Sequence, residues 1–226
     1  SFLGGVTEWD EGEREIWDHQ NITYRSPLLK NRYSIFAGSY KIKWAYGLAL
    51  SNSLFSMRVA DPSANSKIKL PKIYNSTSSI ESSHFFGSAL LYEQDGLQCL
   101  PFYSRKRLDA TIENGIVKNI SHTGEHRTAG QLERKNNLLQ NQLGLGVSYR
   151  RKHSCYGVMT MYSDWDKKIA DINSKDIAIF SLFYQKEFGS CIFSSEYASN
   201  RKGELAAKTS LLFNYEKAEM GFGYRY

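Results

Sequence analysis

Apolar and polar residues alternate with a period of two along much of this chain, and helical spacing is scarce. Between Asn141 and Arg151, Leu143, Leu145, Val147 and Tyr149 fall on one face, and Gly144, Gly146, Ser148 and Arg150 on the other. The stretch Leu205–Tyr215 repeats the pattern, setting Leu205, Ala207, Thr209, Leu211, Phe213 and Tyr215 against Ala206, Lys208, Ser210, Leu212 and Asn214. The last segment sets Ala218, Met220, Phe222, Tyr224 and Tyr226 against Glu219, Gly221, Gly223 and Arg225. Successive side chains of a strand point to opposite faces, so each stretch predicts a strand with one apolar side and one small or polar side.

Eight further strands follow from the same reading: Phe2–Trp9, His19–Arg25, Arg32–Lys43, Ser83–Tyr92, Leu97–Leu108, Cys155–Tyr162, Asp176–Glu187 and Ser190–Ser199. With the first three they make about eleven. The connections alternate in length. Short ones (Ser26–Asn31, Glu93–Gly96, Lys152–Ser154, Phe188–Gly189, Glu216–Lys217) take turns with longer ones (Asp10–Asp18, Trp44–Ser82, Asp109–Gln140, Ser163–Lys175, Asn200–Glu204). Strands of soluble domains run to about 5–6 residues, whereas a strand tilted across a bilayer needs about 9–11. Transmembrane barrels gather short turns at one rim and long loops at the other. The fold expected is therefore all-β: an antiparallel meander of 10–12 strands forming an outer-membrane β-barrel over residues 1–226, with long outer loops at about 44–82 and 109–140. A soluble antiparallel sandwich also alternates, and a soluble all-β binding module is the competing expectation.

Facing follows from cost. A Lys or Arg turned to lipid at the bilayer midplane costs roughly 2–4 kcal/mol, and the apolar faces of the three clearest strands carry no charge. Lipid-facing positions are thus expected at Leu143, Leu145, Val147, Tyr149, Leu211, Phe213, Met220, Phe222 and Tyr224. Lumen-facing positions are expected at Arg150, Lys208, Asn214, Glu219 and Arg225. An odd count of about eleven strands brings the first and last out at the same rim, so the expected barrel is incomplete, lacking at least one strand after Tyr226. Against this, Met220, Phe222, Tyr224 and Tyr226 have the look of an aromatic-ended closing strand, which would mean one strand miscounted.

Composition narrows the classes. A mean hydropathy of −0.48 excludes a polytopic helical membrane protein, and the best uninterrupted apolar stretch, Trp44–Leu50, is far below the ~20 residues of a spanning helix. The 15 Tyr, 12 Phe and 4 Trp are too much aromatic surface for a disordered chain. Three scattered cysteines, Cys99, Cys155 and Cys191, give no disulfide framework and no CxxC pair. A net charge of +6 is spread along the chain and does not indicate nucleic-acid binding. No signal peptide opens the sequence, so either one has been removed or the chain starts inside a longer protein.

Several runs resemble one family. The run 35–50, beginning Ile35-Phe36-Ala37-Gly38-Ser39-Tyr40, is similar to a strand-and-fold-in segment. Phe102-Tyr103-Ser104-Arg105-Lys106-Arg107-Leu108-Asp109-Ala110 resembles a second motif. Ser121–Thr128 with Glu133, Lys135 and Asn136 resembles a third, and Gly4-Gly5-Val6-Thr7 with Glu11-Gly12-Glu13 a strand end. In this order they resemble the C-terminal β-barrel of the helix-hairpin-helix domain-containing outer-membrane proteins of Bacteroidetes-like Gram-negative bacteria. The resemblance covers most of the chain and is weakest from Trp165 to Tyr226, where only the strand pattern matches. It implies a barrel in the bacterial outer membrane and no transferable activity. Any link to DNA would run only through upstream helix-hairpin-helix repeats, of which none is visible here. At 44–47 the sequence reads Trp44-Ala45-Tyr46-Gly47 where the family has Phe-Gly-Gln-Gly, so no role of that Gln carries over.

Candidate chemistry is sparse. His122 and His126 are four apart with Glu125 between them and Glu133 beyond, but Gly124 interrupts any helix that would bring both imidazoles to one face. Loop packing is expected there, and no metal or other cofactor. Arg105, Lys106, Arg107 and Arg127 are candidates for lipopolysaccharide phosphates, which guanidinium groups bind in bidentate fashion. Asp109, His122 and Ser104 combine on paper into a hydrolytic triple of a kind that arises by chance in any polar chain, so no catalytic residues are assigned. The segment Trp44–Met57 either folds into the lumen or extends the strand before it. The expected protein is a non-enzymatic, porin-like channel or membrane platform, with lipid, lipopolysaccharide and periplasmic proteins as partners.

Overall fold

The computed structural model describes residues 1–8, 19–28, 32–50, 67–76, 84–121, 126, 128–215 and 218–226. Eleven strands form a continuous antiparallel meander: β1 (Phe2–Glu8), β2 (His19–Leu28), β3 (Tyr33–Ala45), β5 (Phe85–Gln94), β6 (Leu97–Leu108), β9 (Leu138–Arg151), β10 (Ser154–Ile169), β11 (Ser174–Phe188), β12 (Cys191–Asn200), β13 (Leu205–Tyr215) and β14 (Ala218–Arg225). These match the eleven strands expected from periodicity. Three shorter strands lie within the connections: β4 (Lys69–Asn75), β7 (Ala110–Glu113) and β8 (Ile116–Ile120). β4 pairs with β3, and β8 pairs with β7 and with the far end of β10. The sheet does not close on itself: β1 pairs with β2 and β14 with β13, and no pairing among the described residues joins β1 to β14.

Connections at one end of the meander are short, at 29–32, 95–96, 152–153, 189–190 and 216–217. At the other end they span 9–18, 46–84, 109–137, 170–173 and 201–204. One expected long loop is corrected. Residues 163–175 are mostly strand, because β10 and β11 run on as a hairpin paired to Asp164↔Asp176 and, past a bulge, Ile169↔Ser174. The pattern concealed this because Asp164, Asp166, Lys167 and Lys168 give no apolar side. The projecting hairpin packs at Ile169 against Leu108, Ala110, Val117 and Leu138, a small second core at the loop end. Helix α1 (Ala129–Leu132) caps this region, with Thr128 and Gln131 forming a reciprocal capping box.

The sheet is strongly curled. Seven strand-to-strand steps separate β3 from β13, roughly 34 Å along a flat sheet at about 4.8 Å per step. Yet Tyr46, one residue past the end of β3, hydrogen-bonds Ser210 of β13. β3 makes this possible by leaving the wall. It pairs with β2 up to Gly38 and with β5 up to Tyr40, then continues paired with β4 alone, from Tyr40↔Asn75 to Ala45↔Lys69. The departure needs glycine: Gly38 has φ +85°, and a Cβ there would lie 2.0 Å from the Ile22 carbonyl oxygen. The second half of β3 and β4 thus form a hairpin lying against the concave side of the sheet.

Candidate functional site

Two surfaces define what this fold can do. On the convex side, neighbouring strands line up their outward residues into a belt. Across β6, β9, β10 and β11 the registered positions include Pro101↔Leu145, Val147↔Val158, Val158↔Leu182, Leu143↔Tyr162 and Tyr156↔Tyr184. The belt continues through Tyr197 and Phe193 of β12 and Leu211 and Phe213 of β13 to Phe222 and Met220 of β14. Leu143 and Phe222 are each 59% exposed. Outward positions from Tyr156 to Tyr162, and their cross-strand partners, carry no Asp, Glu, Lys, Arg or His. Charge returns at both edges: Arg105, Asp164 and Asp176 toward the loop end, Arg151 and Lys186 toward the turns. Tyrosines mark the borders, with Tyr149, Tyr156 and Tyr184 on one side and Tyr103 and Tyr162 on the other. Tyr156 and Tyr162 are about 20 Å apart along β10 at ~3.4 Å per residue.

Leu143, Leu145, Met220, Phe222 and Tyr224 are exposed on this side, while Val147, Tyr149, Leu211 and Phe213 are part-covered by neighbours such as the Tyr149–Tyr156 and Phe213–Phe222 ring pairs. Arg105 stands just beyond the belt, and Arg107 Nη1 donates to the Asn136 carbonyl at 3.1 Å. Lys106 points to the other side, its Nζ donating to the His84 carbonyl at 2.7 Å. Arg127 lies outside the described residues, as do His122 and Glu125.

The concave side is filled. Phe36, Tyr40, Ile42, Trp44, Phe85, Leu100, Phe102, Met159 and Phe183 form one buried cluster with the inward hairpin. Glycines of the wall make room for it: a Cβ at Gly144 would meet the Phe102 ring at 2.2 Å, and one at Gly146 the Trp44 ring at 2.6 Å. Tyr40 stacks on Phe85 at 5.5 Å and donates its hydroxyl to the Tyr103 carbonyl at 2.7 Å. Trp44 meets Phe183 edge-on at 5.2 Å, and its Nε1 donates to Ser181 Oγ at 3.2 Å.

The centre of this arrangement is Glu196 of β12, fully buried. Its Oε2 accepts from the backbone N–H of Tyr46 at 2.8 Å and of Leu48 at 3.3 Å, and its Oε1 accepts from Ser181 Oγ at 2.9 Å. One carboxyl group therefore ties the turn after β3 to the opposite wall. Lys208 sits beside it with Nζ 4.3 Å from the Tyr46 ring centroid, and Ile68 N donates to Gln185 Oε1 at 2.8 Å, fixing the returning strand. Of the expected lumen-facing residues, Lys208 is on this side with Arg225 opposite it in register. Arg150 lines a cavity of about 250 Å³ with Leu70 and the 93–98 turn. The Asn214 side-chain oxygen is buried, and the Glu219 side chain lies outside the described residues. Both readings of Trp44–Met57 prove partly apt: β3 extends through Ala45, and 46–50 then turn into the interior, while 51–57 are outside the described residues.

Sequence reasoning missed Glu196, whose only signal was a carboxylate among serines on a small-residue face. It also missed the Asp109–His126 pair, joined at 2.6 Å with both side chains buried. Asp109 Oδ1 accepts from Asn136 N at 2.8 Å, so this pair pins the connection 109–137. Ser104 Oγ accepts from Phe86 N at 3.0 Å, and the His122 of the hydrolytic triple lies outside the described residues. No group of three His, Cys, Asp or Glu with metal-site geometry exists among the described residues.

An open, curled meander with an apolar belt outside and a packed hairpin inside is thus the architecture to compare. No protein-family model matches the chain, and no curated protein matches it. Among solved structures it is similar to in-vitro folded OmpT of Vibrio cholerae, an outer-membrane protein in trimer form. There the TM-score is 0.38 at 10% identity, over 92% of this chain and 70% of that one. Outer-membrane expressed OmpT of the same organism gives a TM-score of 0.29 at 10% identity, over 91% and 74%. Both scores fall short of a shared fold, so the fold stands on its strand order and register.

Proposed function

We propose that this chain forms wall strands of a β-barrel in a bacterial outer membrane and serves as a non-enzymatic membrane platform rather than an open channel. The observation that carries the location is the charge-free outward belt, bordered by tyrosines and then by charged rows. Water gives such a surface no stable partner, since soluble monomers rarely expose contiguous apolar patches beyond a few hundred Å², whereas acyl chains do. No helix among the described residues is long and apolar enough to cross a membrane, and barrels cross with strands. The soluble-module reading needs Leu145, Leu211 and Phe222 in a shared centre, but they lie on the convex side, away from the buried cluster. The filled interior favours a platform: Trp44, Phe102 and Phe183 occupy the space a pore would need.

Arg105 and Arg107, just beyond the belt at the loop end, suit contact with lipopolysaccharide phosphates. The kinship to the helix-hairpin-helix outer-membrane family belongs to the same proposal. The test is reconstitution. The chain should partition into lipid vesicles and migrate in a heat-modifiable way on gels; a monodisperse protein without detergent or lipid refutes the proposal.

A further inference from the structure

The inward hairpin has two faces. Tyr40, Ile42 and Trp44 of β3, with Ile73 of β4, turn to the wall and are buried. Lys41 and Lys43 of β3 turn the other way, and the register sets Lys41 opposite Tyr74 and Lys43 opposite Lys72. Lys43 and Lys72 are exposed, Lys41 half-buried, and Lys43 Nζ lies 5.1 Å from the Tyr74 ring centroid. Among the described residues no carboxylate forms an ion pair with any of the three lysines. Like charges directly opposite each other on a pair of strands repel, with Cβ atoms only about 4.5–5.5 Å apart, and Lys41 follows about 7 Å along the same face. Three ammonium groups thus share an area the size of one small multivalent anion, on the side of the hairpin away from the packed cluster. A solvated loop would give these side chains freedom to spread; here a hairpin fixed by Trp44, Tyr46 and Glu196 holds their stems in place.

We propose that the Lys41–Lys43–Lys72 face is a binding site for a soluble multivalent oxyanion, held by point charges that a lysine cluster supplies without directional preference. The site uses only this outer face of the hairpin and does not depend on what covers the convex belt. The test is calorimetric titration of inorganic triphosphate and of citrate into the full chain, folded in detergent, at low salt. Saturable binding of either anion is expected, weakening at least tenfold in Lys43→Gln/Lys72→Gln and staying within twofold in Lys118→Gln/Lys152→Gln, which removes equal charge elsewhere. Lys72→Glu places a carboxylate opposite Lys43, so it keeps the hairpin folded by a cross-strand pair and should abolish binding. Unaltered Trp44 fluorescence, read with Trp9, Trp17 and Trp165 changed to phenylalanine, reports that the hairpin is in place. Absence of saturable binding by the unmodified chain, equal loss in both glutamine pairs, or wild-type binding by Lys72→Glu with the hairpin seated overturns the proposal.

Discussion

Replacing Glu196 by alanine should free the interior hairpin while leaving the wall intact. The carboxyl group is wholly buried and accepts two backbone N–H groups and one hydroxyl. Removing it leaves the Tyr46 and Leu48 N–H groups without an acceptor in a packed interior, at about 1–3 kcal/mol each. The Ser181 hydroxyl keeps its role toward Trp44 Nε1 and adds less. The expected loss is about 3–5 kcal/mol, concentrated on one hairpin. At about 1.4 kcal/mol per factor of ten, that raises the population of the released hairpin by two to four orders of magnitude. Glu196→Gln keeps an acceptor oxygen and should lose less than half as much. The assay is thiol labelling of Tyr46→Cys, in a background with Cys99, Cys155 and Cys191 changed to serine, with and without the Glu196 substitution. Labelling should accelerate at least a hundredfold in the alanine variant, with strand content unchanged. Equal labelling rates, or global unfolding in step with labelling, would refute the assignment of Glu196 as the hairpin's anchor.

Other substitutions separate the remaining parts of the structure. Val158→Arg puts a charge in the middle of the outward belt and should cost roughly 2–4 kcal/mol of folding stability in vesicles, whereas Ser194→Arg on the concave side should fail by overpacking even in detergent. Gly146→Ala drives a methyl group against Trp44, whose ring would be 2.6 Å away, and should cost about 1–3 kcal/mol in denaturant unfolding, with a red shift of Trp44 emission once Trp9, Trp17 and Trp165 are changed to phenylalanine. His126→Ala breaks the buried pair with Asp109 and should expose the 109–137 connection to limited proteolysis, with the midpoint of wall unfolding unchanged.

The meander was legible because its strands obey one rule over their whole length: the convex face must be apolar across the belt, so period two persists for nine or more residues. Where that demand stops, the signal stops. The loop ends of β10 and β11 rise beyond the belt, and Asp164–Lys168 reads as a loop although it is strand, with Asp164 and Trp165 paired to β9 and Lys168 to β8. β4 was hidden differently. Lys67-Ile68-Lys69-Leu70-Pro71-Lys72-Ile73-Tyr74 alternates only in two short pieces whose phase flips at Leu70-Pro71, and it lies inside a long connection with Ile68 and Ile73 buried in the interior cluster instead of on the belt. The glycines at 144 and 146 were visible as a small-residue face, yet their purpose depends on Phe102 and Trp44 from strands far away in the chain. Glu196 and Asp109 belong to the same class, because each gains its role from partners 15 to 150 residues distant, which no local pattern encodes.

The most direct measurement is a spin-label accessibility scan of residues 156–162 on β10, one cysteine at a time in the cysteine-free background, in lipid vesicles. Positions 156, 158, 160 and 162 should be open to oxygen dissolved in the acyl chains and shielded from a water-soluble nickel reagent, while 157, 159 and 161 should be closed to both by the packed interior. Free access of the nickel reagent to the even positions would contradict the account.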